Sequence, residues 1–232
     1  MHAPQVVPGS ESAGSAPLRE VAARLAHTYP EARTELDHED AFQLLVATVL
    51  SAQTTDVRVN AVTPALFARW PDARALAAAG EDELEPHLRP LGMGPTRARR
   101  LAALGRALTA DHDGTVPSEQ SALESLPGVG RKTALVVRGA WFGQSALAVD
   151  THVMRLAGRL GWTERTTAGP VERDVVTRAE AADREAAEGP TDLSDLSLRL
   201  ILLGRRICTA RRPDCPACPL QDVCPSSTGD TA

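Results

Sequence analysis

The chain is almost without lysine. Of its 25 basic residues all but one are arginine, and the exception is Lys132. Arginine stays protonated and serves wherever only positive charge is needed, whereas a lysine amine can lose its proton and attack an electrophilic carbon. A solitary lysine therefore marks a candidate for amine chemistry, set against chance survival on a solvated helix face. Aromatic residues make up only 3%, and no stretch sustains a polar–apolar alternation, which argues against strands. No segment approaches the roughly 20 uncharged apolar residues that a membrane span needs. Residues 1–17 are rich in Ala, Ser, Pro and Gly, with no basic segment ahead of an apolar core. They read as a disordered tail rather than an export signal, so the protein is expected in the cytoplasm, free in the cytosol or nucleoid, with no membrane partner. Cysteine is absent from the first 207 residues, and no internal repeat is present.

What remains is alanine, leucine, valine and arginine, a composition that favours helices. Apolar residues recur at helical spacing between Pro and Gly breaks, giving an all-α chain of about ten helices. The clearest are 18–29, 41–52 (apolar almost all round, hence buried), 56–70 with Pro64 inside and Thr55 or Asp56 as cap, and a run opened by Pro95 that carries Leu101, Leu104 and Leu108. Further helices are expected from a Ser118 cap to Leu126, from Gly130 to Phe142, from Asp150 to Leu160, over 171–187 and over 192–207.

The net charge of −5 speaks against a nucleic-acid partner only if it is uniform, and it is not. Between Pro90 and Leu160 nine cations face five acids, a local +4, while the stretches 18–89 and 161–196 are acidic. A basic face on an acidic protein can still bind phosphates.

Lys132 lies in Leu126-Pro127-Gly128-Val129-Gly130-Arg131-Lys132-Thr133. Two glycines two apart allow a tight turn, and bare amides followed by a helix start form a donor site for a phosphate oxygen. Leu126 and Val129 would pin the flanking helices together; a plain helix–helix turn is the simpler alternative. Asp150 follows 18 positions after the lysine, in Ala148-Val149-Asp150-Thr151-His152. Aspartate is a favoured N-cap, but one oxygen can hold a helix while the other faces a site.

All four cysteines lie near the C-terminus as Cys208-x6-Cys215-x2-Cys218-x5-Cys224. Four thiolates so close suit one metal ion or cluster, and two disulfides are not expected in a cytosolic chain. The residues alone leave zinc and an iron–sulfur cluster both open. Arg211 and Arg212 sit beside them as possible phosphate contacts, and Pro213, Pro216 and Pro219 would stiffen the loop.

With hairpin, lysine, aspartate and cysteines in this order, the chain resembles the helix-hairpin-helix DNA glycosylases, and among them the endonuclease III family, from about Glu35 to Cys224. The resemblance implies two helical domains with the active site in a cleft between them. Residues 34–144 would form a six-helix barrel, with the hairpin at about 118–142; residues 18–33 and 145–232 would form a cluster domain. It implies a bifunctional glycosylase and abasic-site lyase of base excision repair, acting as a monomer on duplex DNA with oxidised pyrimidines or abasic sites. Lys132 would be the nucleophile, helped towards its neutral form by partial burial and by Arg131, and Asp150 its assistant. The cysteine spacing is that of the family's [4Fe–4S] loop, which implies the cluster rather than zinc.

Gln53, in Leu50-Ser51-Ala52-Gln53-Thr54-Thr55-Asp56, would enter the space left by a flipped nucleotide, with Met93 or Leu91 as an apolar wedge. Gly128, Gly130 and Arg131, with Leu126 and Val129, would complete the DNA contact. The chain departs from the family at Met93, where leucine is usual, at Gly94-Pro95, which replace a Tyr-Asn pair, and over the long acidic stretch 173–189. Two other functions fit less of the chain. An adenine-mismatch glycosylase usually lacks the lysine and carries glutamate in place of Gln53. A non-enzymatic hairpin module would leave the lysine, the aspartate and the cysteines without a purpose.

Overall fold

The computed structural model describes residues 14–228. Its ordered elements are all helical: eleven α-helices and one short 3₁₀ turn among the described residues. Two compact units divide the chain, one from Met1–Ala32 with Leu147–Ala232 and the other from Arg33–Ala146.

The continuous unit holds α2 (Ala41–Leu50), α3 (Asp56–Arg69), α4 (Ala73–Ala78), α5 (Glu81–Leu88), α6 (Gly94–Asp111), α7 (Gln120–Ser125) and α8 (Arg131–Ala140). The apolar run 41–50 becomes its central rod, with Leu44, Leu45, Val46, Ala47 and Leu50 all buried. Asp40 caps it by accepting from the Gln43 N–H at 2.7 Å. Thr55 caps α3, and Pro64 is accommodated inside that helix. Two helices have no counterpart in the sequence expectation. The short α4 and α5 pack along α6, where Gly105 permits close approach: a Cβ there would lie 2.6 Å from the backbone nitrogen of Ala77. Ser118 is not a cap, since α7 starts after Glu119 and has no side-chain cap.

The other unit joins α1 (Leu18–Thr28) to α9 (Thr151–Arg159), α10 (Ala168–Arg184), α11 (Leu193–Arg206) and the cysteine loop. Its core is built from Leu18, Val21, Leu25, Val153, Leu156, Val171, Val175, Leu200 and Leu203. The acidic stretch is therefore not merely solvated, since Val171, Val175 and Ala179 of α10 form a buried stripe. Asp183 ends it in a small network, accepting from Arg19 at 2.6 Å, from the Thr191 N–H at 3.0 Å and from the Thr191 hydroxyl at 2.8 Å. The expected tail over 1–17 lies largely outside the described residues, and its last part is corrected. Ala16 is fully buried: its N–H donates to Leu160 O at 2.8 Å, and its carbonyl accepts the Trp162 indole N–H at 2.8 Å. A buried indole N–H needs such a partner, which pins this stretch of chain.

Candidate nucleic-acid interface and metal centre

The glycine turn between α7 and α8 is anchored from below. Leu126 and Val129 are buried at 3% and 6% exposure, joined by a Val129 N–H to Leu126 O bond of 3.0 Å. These side chains belong to the core and cannot touch a ligand; only their backbone can. Arg138 ties the two helices together by donating to Gln120 Oε1 at 3.1 Å and to Gln144 Oε1 at 2.7 Å. The two glycines differ in what they do. Gly128 has φ +83°, and a Cβ there would sit 3.4 Å from Val49 Cγ1, so the turn itself demands glycine. Gly130 has an ordinary φ of −97°, and a Cβ there would meet nothing within 4 Å, so the protein's own packing gives no reason for glycine. The first turn of α8 presents N–H groups that lack intrahelical acceptors, with the positive end of the helix dipole behind them. Lys132, second in α8, is exposed rather than partly buried as expected, because the first turn of α8 projects beyond the core formed by Ala134, Leu135 and Val137. Arg131 beside it is exposed too, within 3.5 Å of Glu124.

Two further loops of the same unit carry Gln53 and Met93. Both residues are exposed and both adopt left-handed backbone, with φ +61° and +53°. That conformation costs a non-glycine residue roughly 1–2 kcal/mol, so the surrounding structure must impose it. Leu91 is corrected: at 4% exposure it sits in the core, leaving Met93, at 48%, as the apolar candidate presented to solvent. One side chain bonds backbone carbonyls of both loops. Arg97, only 4% exposed, donates from Nη1 to Leu50 O at 2.6 Å, from Nη2 to Ala52 O at 2.8 Å and from Nε to Gly92 O at 2.8 Å. Counted by charge alone, Arg97 belongs to a basic surface region. Its register was the signal missed, since it falls four residues before Leu101 on the apolar stripe of α6.

In the other unit Asp150 is the N-cap of α9. Its Oδ1 accepts from the His152 N–H at 2.8 Å and the Val153 N–H at 2.9 Å, while Oδ2 takes no hydrogen bond among the described residues. One oxygen thus orients the carboxylate and the other is left available.

The four cysteines line a single cavity of about 40 Å³ together with Arg159, Ile207, Pro213 and Gln221, and all are free thiols. Local turns set the spacing: the Cys218 N–H donates to Cys215 O at 3.0 Å and the Cys224 N–H to Leu220 O at 2.9 Å. Burial pushes the Cys218 and Cys224 thiols up, so thiolates there need a cationic partner. Cys215 is held lower by the hydroxyl of Thr228. Arg159 donates to Cys208 Sγ at 3.0 Å, and Arg155 to the Cys208 carbonyl at 2.9 Å. Four thiols spread around one cavity are a donor set that fits a multi-atom cluster. Arg211 and Arg212 are exposed beside it.

Residues 46–180 match the family model of the HhH-GPD superfamily base excision DNA repair proteins, and residues 208–224 that of the iron–sulfur binding domain of endonuclease III. The chain belongs to the endonuclease III family. It is 43% identical over 204 residues to endonuclease III of Synechocystis sp., covering 88% of this chain and 89% of that protein. With endonuclease III of Escherichia coli K12 the identity is 35% over 205 residues, covering 88% and 93%. A solved non-covalent complex of endonuclease III with DNA matches with a TM-score of 0.80 at 37% identity, covering 90% of this chain and 94% of that one. A trapped covalent endonuclease III–DNA intermediate matches equally well. The chain carries the [4Fe–4S] cluster of the endonuclease III family, and its four cysteines, all within the matched residues 208–224, are of the type and number that would hold such a cluster.

Proposed function

We infer that the protein is a DNA glycosylase and abasic-site lyase of base excision repair. The observation that carries this is the placing of the only lysine of the chain at the exposed start of a helix, directly after an anchored glycine turn. The turn and the positive end of α8 suit a DNA phosphate, with Gly130 leaving its amide open to close approach. Met93 and Gln53 are the residues that fill the stack when a damaged nucleotide is turned out, the amide of Gln53 meeting the orphaned partner base.

Lys132 Nζ, unprotonated, attacks C1′; the glycosidic bond breaks and the base leaves with the bonding pair, taking up a proton. Opening of the sugar ring gives the Schiff base between Nζ and C1′. Loss of a C2′ proton then expels the 3′ phosphate, and water releases the enzyme. Asp150 is the carboxylate that balances positive charge on the sugar and passes protons, using the oxygen not committed to the helix. The cluster is a structural element that fixes the loop bearing Arg211 and Arg212, which contact phosphates. The substrate is duplex DNA with oxidised pyrimidines, met by a monomer in the cytoplasm.

The test is a duplex containing thymine glycol. The wild type is expected to release the free base and leave a β-elimination end, and Lys132→Ala to do neither. Asp150→Asn, which keeps the cap geometry, is expected to slow both by about a hundredfold or more, the usual scale of a lost general acid or base. An intact wild-type protein that leaves the duplex whole contradicts the reading.

A further inference from the structure

Arg97 is the only buried arginine among the described residues, and no carboxylate among them faces it. Burying a guanidinium is costly unless every donor direction is used, and desolvation indeed pulls its pKa down. An apolar side chain at this register would simply complete the stripe of Leu101, Leu104 and Leu108. What arginine does, and an apolar residue would not, is join two separate pieces of backbone. Leu50 and Ala52 lead directly into Gln53, and Gly92 leads directly into Met93. The planar fork of donors meets all three carbonyls at once. Two of these carbonyls lie at the exit of α2, where helix carbonyls lack partners and a cation is favoured by the dipole. Gln53 and Met93, both exposed and left-handed, are thus each one peptide away from a carbonyl held by the same side chain.

We propose that Arg97 is a positioning residue for the DNA-inserting pair: by clamping the carbonyls of Leu50, Ala52 and Gly92 it fixes Gln53 and Met93 ready to enter the stack, without itself touching DNA. This rests on the inserting roles given to Gln53 and Met93 above. Pre-organisation of this kind lowers the ordering cost of binding and of reaching the reactive geometry. Lysine at 97 keeps the charge and the stem but has no planar fork to hold three carbonyls together.

The experiment compares Arg97→Lys in two backgrounds, with the cluster's visible absorbance and thermal melting recorded for each protein. In the otherwise native enzyme, kcat/KM on duplex with an abasic site should fall about tenfold or more. In the background Gln53→Ala with Met93→Ala, the same change should cost less than about twofold, because the residues it positions are gone. Equal losses in the two backgrounds would show a general structural role and overturn the proposal, as would no loss in either. Arg97→Met, which fills the stripe without a charge, is the second variant, with the same expectation and the same overturning results. Insertion is also read without chemistry, from the fluorescence of 2-aminopurine placed beside the lesion. Wild type should raise it and Arg97→Lys should raise it less, again only where Gln53 and Met93 are present. A wild type that raises fluorescence yet never cleaves refutes the lyase reading, and the two-background fluorescence comparison then decides on Arg97 alone.

Discussion

Arg159 donates Nη1–H to Cys208 Sγ across 3.0 Å, and the same guanidinium holds the carbonyls of Thr209 at 2.9 Å and Ala210 at 3.1 Å. A thiolate at Cys208 would gain a charge-assisted hydrogen bond there, and the chain following it is fixed in the same stroke. Arg159→Leu is expected to leave helix content intact but to speed loss of the cluster several-fold under a chelator or oxidant. The bleaching rate of the visible absorbance measures it, and an unchanged rate would remove Arg159 from the account of the loop.

Gly105 and Gly130 should respond in opposite ways to alanine. At Gly105 the added carbon meets backbone of α4 at 2.6 Å, and backbone cannot step aside as a flexible side chain can. Gly105→Ala is expected to cost about 1–3 kcal/mol, the range for overpacked cores, and to lower the melting temperature by several degrees.

Gly130→Ala meets nothing within the protein, so its melting temperature should be that of wild type. Its binding to duplex DNA should weaken, since the methyl stands where a phosphate is to approach. Gly128→Ala should lose both, because its φ of +83° strains any other residue by roughly 1–2 kcal/mol. Titration of a fluorescent duplex with the three variants checks this ordering.

Asp183 gives stability a specific dependence on pH. Burial pushes its carboxyl up, but Thr191 and Arg19 outweigh that and hold it below the ordinary 3.8. A depressed carboxylate contributes stability that is complete above the unfolded value and is lost as pH falls through the folded one. Wild type should therefore exceed Asp183→Asn in unfolding free energy at neutral pH, and the gap should shrink as pH drops below about 4. Denaturant melts at several pH values test it; a gap that widens in acid contradicts the network.

Much of this was legible in the residues. The helices at 41–50, 94–111, 151–159 and 193–206 follow from apolar periodicity with a cap or a proline at the start. The helices α4 and α5 were not legible: Ala73–Ala78 and Glu81–Leu88 are too short to show a stripe, and the close packing of α4 exists only where α6 offers Gly105. Leu91 and Met93 are two residues apart and chemically alike, so only the left-handed turn at Met93 decides which is turned outward. Ala16 was lost in a Ser/Pro/Gly-rich composition, although Trp162 required a nearby acceptor. Arg97 hid among surface arginines because charge, read alone, points outward; its apolar register pointed inward.

The most direct measurement is borohydride trapping of the intact protein on duplex DNA with one abasic site. Reduction should freeze the Schiff base as a covalent protein–DNA adduct through Lys132 Nζ. Lys132→Arg, which keeps the positive charge and gives up the nucleophile, should form none while still binding the duplex. An adduct that persists in Lys132→Arg, or none in the wild type, would contradict the assignment of this amine as the reacting group.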